Sequence, residues 1–129
     1  MSRGDSMKRD WDLIREILLK VEEKENDNRD TLDRQELDLE NVTDEKFFYN
    51  TRLMKEDGLI DGEFNIAVDG LMPTHLTNAG HDFLDKARSQ MVWNKFKEAI
   101  PKDIKTMSFE MVKAILIKIV TSAVFGQIP

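Results

Sequence analysis

The chain has 129 residues, enough to bury one core and too few for two independent domains. Hydrophobic residues make up 40% and charged residues 34%, which excludes a disordered chain; the absence of cysteine excludes a disulfide framework, a thiolate metal site and a cysteine nucleophile, and points to a reducing, cytoplasmic setting. The net charge of −6 hides an asymmetry: residues 1–85 hold 11 Lys/Arg against 22 Asp/Glu, whereas residues 86–129 hold 8 against 3, so the two parts face different partners or each other.

Residues 1–6 are polar, lack the apolar run of a signal peptide, and read as a leader or a cloning remnant ahead of Met7. From Trp11 to Val21 the apolar positions Trp11, Leu13, Ile14, Ile17, Leu18 and Val21 recur at three- and four-residue steps, with Arg15, Glu16 and Lys20 between them. That spacing predicts an amphipathic helix with Asp10 as its N-cap. The polar run Glu22 to Asn28 reads as a loop. Between Leu32 and Val42, Leu37 and Leu39 alternate like a strand, while the surrounding acids suit a solvated edge or turn.

Thr43 followed by Asp44 and Glu45 is a helix start, with a capping hydroxyl and acids at the positive end of the helix dipole. This helix is expected to run through Phe47, Phe48, Thr51 and Met54 to Gly58. Leu59-Ile60, Phe64 to Val68 and Leu71-Met72 are short β-prone pieces, and Asp69-Gly70 between them predicts an antiparallel hairpin. Thr77 caps a further helix with Phe83, Leu84, Ala87 and Met91 as its inward stripe, continuing through Trp93 and Phe96 until Pro101. A last helix begins near Ser108 and reaches Gly126. Its apolar residues cover more than one stripe, so it is expected to be buried on several sides, packing on the core and contacting a second copy; its two lysines and its length argue against a membrane span.

Met7-Lys8-Arg9-Asp10 with Leu13-Ile14, Lys55 to Ile60, Leu76-Thr77 with Ala79 to Leu84, Val92 to Lys95, and Ser108-Phe109 together resemble a family of small bacterial and prophage-associated proteins catalogued as a domain of unknown function and related to winged-helix folds. The resemblance implies a fold and a prokaryotic or phage setting, and no particular activity. The expected architecture is therefore mainly α (α+β): a winged-helix-like domain at 7–88 with a small hairpin, then a C-terminal helical extension at 89–129 that packs on the same core or on a second subunit.

In that architecture the helix from Asp44 to Asp57 stands at the recognition-helix position, with Lys46, Tyr49, Asn50, Arg52 and Lys55 facing outward. Such side chains reach phosphates and base edges in a major groove. Against this, Glu56 through Asp85 contains seven acids and no Lys or Arg, and a wing carrying Asp61, Glu63 and Asp69 repels a polyanion. The acidic connection before the helix, with Asp30, Asp33, Glu36, Asp38 and Glu40, suits a basic protein partner, mimicry of DNA, or plain solubility. His75 and His81 lack a catalytic companion by spacing; His81 and Asp85 share a helical face, but two ligands are too few for a metal. No phosphate loop, nucleophile motif or metalloprotease signature is present.

The expected function is a non-enzymatic binding module without cofactor or metal. The first reading is a transcription-regulator-like DNA binder that dimerises through its C-terminal helices. The second is an acidic protein-interaction module, an adaptor or inhibitor. A deep pocket around His75 and His81 is the feature that would bring an enzyme back into consideration.

Overall fold

The computed structural model describes residues 9–100 and 107–125, with side chains described as far as Ser122. In chain order the elements are α1 (Trp11–Lys24), α2 (Asp44–Glu56), β1 (Ile60–Asn65), β2 (Gly70–Leu76), α3 (Asn78–Ala87), α4 (Gln90–Ala99) and α5 (Phe109–Phe125). The fold is mainly helical α+β, with five helices and one two-stranded antiparallel hairpin among the described residues. Pro101 and Gly126, the expected ends of two helices, lie outside the described residues.

Asp10 caps α1 by accepting the Leu13 amide proton at 3.1 Å, and Trp11, Ile14, Ile17, Leu18 and Val21 are buried along one stripe. The helix runs one turn beyond Val21, through residues expected to be loop. Glu22, Glu23 and Lys24 are good helix formers, and Arg88 holds Glu22 in a bidentate pair at 2.7 and 3.0 Å. Arg15 is a second departure, since it is buried rather than solvated. Its guanidinium donates to the carbonyls of Ala87 (2.7 Å) and Arg88 (2.9 Å) and lies over the Trp93 ring.

The connection from Glu25 to Thr43 contains neither strand nor helix. It is nevertheless fixed: Leu32, Leu37 and Leu39 drop into the core, and the Leu32 amide donates to the Pro73 carbonyl at 2.8 Å. Asp33 and Glu36 exchange side-chain-to-backbone hydrogen bonds of 2.9 and 2.7 Å, so some of the acids expected to serve a partner serve this turn.

Thr43 caps α2 through the Lys46 amide. The helix closes with Leu59 donating to Met54 and Gly58 donating to Lys55, Gly58 taking φ 79°, a left-handed stop that turns the chain into β1. The strands pair from Ile60 against Leu76 to Asn65 against Gly70, with an irregularity between Asp61 and Gly62. Asp69 and Gly70 close the hairpin as expected, but Ile66, Ala67 and Val68 belong to its turn and not to a strand.

The expected long helix after Thr77 is two helices. Ser89 caps α4 through the Val92 amide, and Arg15 binds the last carbonyls of α3, so the chain bends at Arg88-Ser89. The bend turns Met91 to solvent, 65% exposed, instead of inward. Trp93 and Phe96 of α4, with Met107, Phe109, Val112 and Leu116, join the same core as α1. Trp11 stacks on Phe109 and donates its indole N–H to the Met107 carbonyl at 3.2 Å; Trp93 donates to Asp12 at 2.7 Å. The C-terminal part therefore completes one core with residues before 89. α5 departs from expectation in one respect: among its described side chains only one face is buried, and Met111 and Ile117 are exposed.

Candidate interaction face

Helix α2 packs against β2, and its Phe47, Thr51 and Met54 are buried. The Thr51 hydroxyl reaches the Leu71 carbonyl at 2.9 Å and ties the helix to the hairpin. Phe48 rests on Gly70, where a Cβ would come within 2.3 Å of its ring, so the glycine permits the close approach. With α2 on one side and the hairpin on the other, the surface folds into a groove of about 670 Å³. Phe48, Tyr49, Phe64, Val68 and Leu71 line it; Asp44, Glu45, Glu56 and Asp69 stand around them with Arg52 and Lys55. Phe64 is 61% exposed and Val68 47%, and Ile66 at the hairpin tip is 86% exposed.

The five residues expected to face a nucleic acid meet different fates. Asn50 does not face outward: it is fully buried, its amide donating to the Lys46 carbonyl and its oxygen accepting the Asp10 amide proton at 2.9 Å. A short amide at that helical position satisfies two backbone groups between α1 and α2, which periodicity alone did not reveal. Lys46 lies 2.8 Å from the Asp10 carboxylate. Arg52 bonds Glu56 at 3.0 Å and covers the half-buried Tyr49 ring. Lys55 bonds Asp61 of β1 at 3.1 Å. All three cations of the helix are thus already opposite a carboxylate of the same molecule, while the aromatic Tyr49 and the hairpin's Phe64 share one groove. The apolar hairpin was the signal missed, because Phe64 to Val68 reads as a β-prone piece of the hairpin, and that pattern does not say which side chains stay in water.

A second hollow, of about 360 Å³, lies between the α1–α2 connection, β2 and α3, lined by His75 and His81 with Arg29, Asn26, Asp27 and Asn78. His75 places Nε2 3.0 Å from Arg29 Nη1 and 3.3 Å from Asp61 Oδ2, with Nδ1 2.9 Å from the Thr74 hydroxyl. His81 faces Glu22 at 3.5 Å, not Asp85, which bonds Arg88 at 3.1 Å. Arg88 hydrogen bonding holds the Glu22 carboxyl below its ordinary range, and the two acids push the Arg88 guanidinium up. Among the described residues no group of three or more His, Asp or Glu is placed to hold a metal ion. At the C-cap of α2, burial pushes the Asp57 carboxyl up despite Arg9 at 3.4 Å.

Among the described residues no helix is long and apolar enough to cross a membrane. The profile of a family described as "Hypothetical protein (DUF2513)" matches residues 8–108, which take in α1 to α4 and the hairpin. The chain is similar to an "Uncharacterized protein" of Haemophilus influenzae (strain ATCC 51907 / DSM 11121 / KW20 / Rd), 32% identical over 111 residues that cover 84% of this chain and 92% of the relative. No solved structure matches.

Proposed function

The chain belongs to the family described as Hypothetical protein (DUF2513), and from the face formed by α2 and the hairpin we propose that it is a non-enzymatic, winged-helix-like module that captures a basic segment of a protein partner. The observation that carries this reading is the groove: exposed Phe64 and Val68 beside Phe48 and Tyr49, among four carboxylates and two cations. Large apolar side chains left in water mark surfaces that something covers. An acidic surround selects a partner with lysines or arginines flanking its apolar anchors, and it discourages acidic competitors. An amphipathic helix with such a face is the simplest ligand for a groove running along a helix.

Duplex DNA fits the same face less well. Lys46, Arg52 and Lys55 each oppose a carboxylate, so phosphate neutralisation would first have to break internal pairs, and Glu63 and Asp69 stand on the hairpin. The adaptor reading is accordingly preferred to the regulator reading. A bacterial, cytoplasmic setting is part of this proposal, in keeping with the Haemophilus relative and with the absence of cysteine.

Fluorescence anisotropy with two labelled probes tests it: a lysine-rich amphipathic peptide with leucine and phenylalanine anchors, and a random-sequence DNA duplex. The expected result is peptide binding that falls at least tenfold in a Phe64→Ser, Val68→Ser double variant, with no DNA binding at low salt. Reversing Lys46, Arg52 and Lys55 to glutamate should leave peptide binding in place. Salt-sensitive DNA binding that this reversal abolishes would overturn the proposal in favour of a DNA reader.

A further inference from the structure

The groove between α2 and the hairpin is electrically uneven along its length. Of the four carboxylates around it, Asp44 lies 2.8 Å from Arg34 and Glu56 lies 3.0 Å from Arg52. Lys55 is likewise occupied, 3.1 Å from Asp61. Glu45 and Asp69, both exposed, have no cation within ion-pair distance among the described residues. A carboxylate that already faces a guanidinium is half of a dipole, whose field falls off faster with distance than that of a single charge; an unpaired one keeps its full charge for a newcomer. The two unpaired acids share one end of the groove. Glu45 is in the first turn of α2, three residues before Phe48, and Asp69 precedes Gly70, on which the Phe48 ring rests. Arg52 and Glu56 lie about 10 to 16 Å further along the helix from Glu45 at 1.5 Å per residue.

We propose, resting on the reading of this groove as a site of peptide capture, that Glu45 and Asp69 clamp one lysine or arginine side chain of the captured segment, its stem crossing Phe48 and Val68. A long basic side chain suits this place because its methylenes cover apolar carbon while its charged head stays in water beside the acids. The Arg52 end asks for no second cation, since its charges are already paired with each other. From Asp44 to Glu56 the helix is about 18 Å long, so the groove holds about three turns of a ligand helix. The recognised pattern is therefore a basic residue at one end of an apolar stripe, with the stripe lying on Tyr49, Phe64 and Leu71. An acid at the basic position would meet two like charges, so the clamp rejects acidic segments as well as selecting basic ones.

Fluorescence anisotropy with the full chain and two labelled amphipathic peptides tests the clamp. Both peptides carry the same leucine and phenylalanine stripe and no other charge. One has a single lysine at the end of the stripe; the other has norleucine there, which keeps the stem and removes the ammonium. The lysine peptide should bind about tenfold more tightly at low salt, the scale of two exposed ion pairs acting together. Glu45→Gln combined with Asp69→Asn should erase that preference while changing norleucine-peptide affinity by no more than about twofold. Asparagine tolerates the left-handed backbone that Asp69 adopts, φ 52°, and circular dichroism confirms that each variant is folded. Glu63→Gln removes an equal charge from the position beside Phe64, on the opposite face of β1, and should preserve the preference. Equal affinity of the two peptides for the parent overturns the clamp. So does a preference that survives the double variant, or one that Glu63→Gln removes to the same degree. Peptide capture itself would stand in each of those cases, because it is read from norleucine-peptide binding and its loss in the Phe64→Ser, Val68→Ser variant. Failure of both peptides to bind the parent overturns the clamp and the capture reading together.

Discussion

Replacing Arg15 with methionine removes the side chain that joins α1 to the bend between α3 and α4. Methionine keeps the length and fills the space over Trp93, so the change isolates two hydrogen bonds, from Nε to the Ala87 carbonyl at 2.7 Å and from Nη2 to the Arg88 carbonyl at 2.9 Å. Each is charge-assisted, worth roughly 1.5–3 kcal/mol, and its loss strands a carbonyl at the end of α3. Methionine also avoids the cost of holding a guanidinium away from water, a cost visible in the way burial pulls the Arg15 pKa down. The net loss should be about 3 kcal/mol, which for a domain of this size lowers Tm by roughly 10 °C. Urea unfolding followed by tryptophan fluorescence measures it directly, since Trp11 and Trp93 are both buried. Arg15→Lys should fall between the two, because one ammonium cannot reproduce a fork spanning successive carbonyls. A loss below about 1 kcal/mol in Arg15→Met would refute the reasoning and show that the bend is set by Ser89 and local packing alone.

Gly80→Ala should cost several kcal/mol, about 3 or more, because the new Cβ would lie 2.0 Å from the Leu59 carbonyl oxygen and either α3 or the start of β1 must move; thermal unfolding reports it. The Glu22–Arg88 pair contributes a pH-dependent increment. The folded-state pKa of Glu22 is depressed, so its stabilisation is present above the ordinary glutamate value and is lost as pH falls through the folded-state value. Glu22→Gln should therefore be about 1 kcal/mol less stable than the parent at neutral pH, with the gap closing in acid; a constant gap would mean that charge is not its source. Ile66→Ser should leave Tm within a degree or two, about 0.5 kcal/mol at most, since that side chain is 86% exposed.

The caps and the stripe of α1 were legible because they are local: Asp10, Thr43 and Thr77 each bond the third amide after them, as the spacing predicts. So was the hairpin, from Asp69-Gly70. What stayed hidden depended on partners far along the chain. Arg15 meets Ala87 and Arg88 more than seventy positions away, and Asn50 meets Asp10 forty positions back. Periodicity assigns a polar residue to the outside unless something buried wants a hydrogen bond, and that something is not in the window. The break at Ser89 was missed for a related reason, since Met91 continued the apolar spacing while Ser89 supplied an unremarked cap. The acidic connection suits either a strand or a solvated edge or turn by its pattern; it is neither strand nor helix, yet its three leucines are core.

That connection has a practical consequence for engineering the chain. Leu32, Leu37 and Leu39 anchor it like rungs of a ladder clipped to the helices, so an epitope or fluorescent label spliced between Asp33 and Leu39 would pry open the interior. The hairpin tip from Ile66 to Asp69 behaves in the opposite way: it carries little of the fold, and an insertion there would leave the scaffold standing while blinding the groove. The two loops thus offer separate handles, one for switching off the scaffold and the other for blocking the groove, the proposed site of peptide capture, while the scaffold stands.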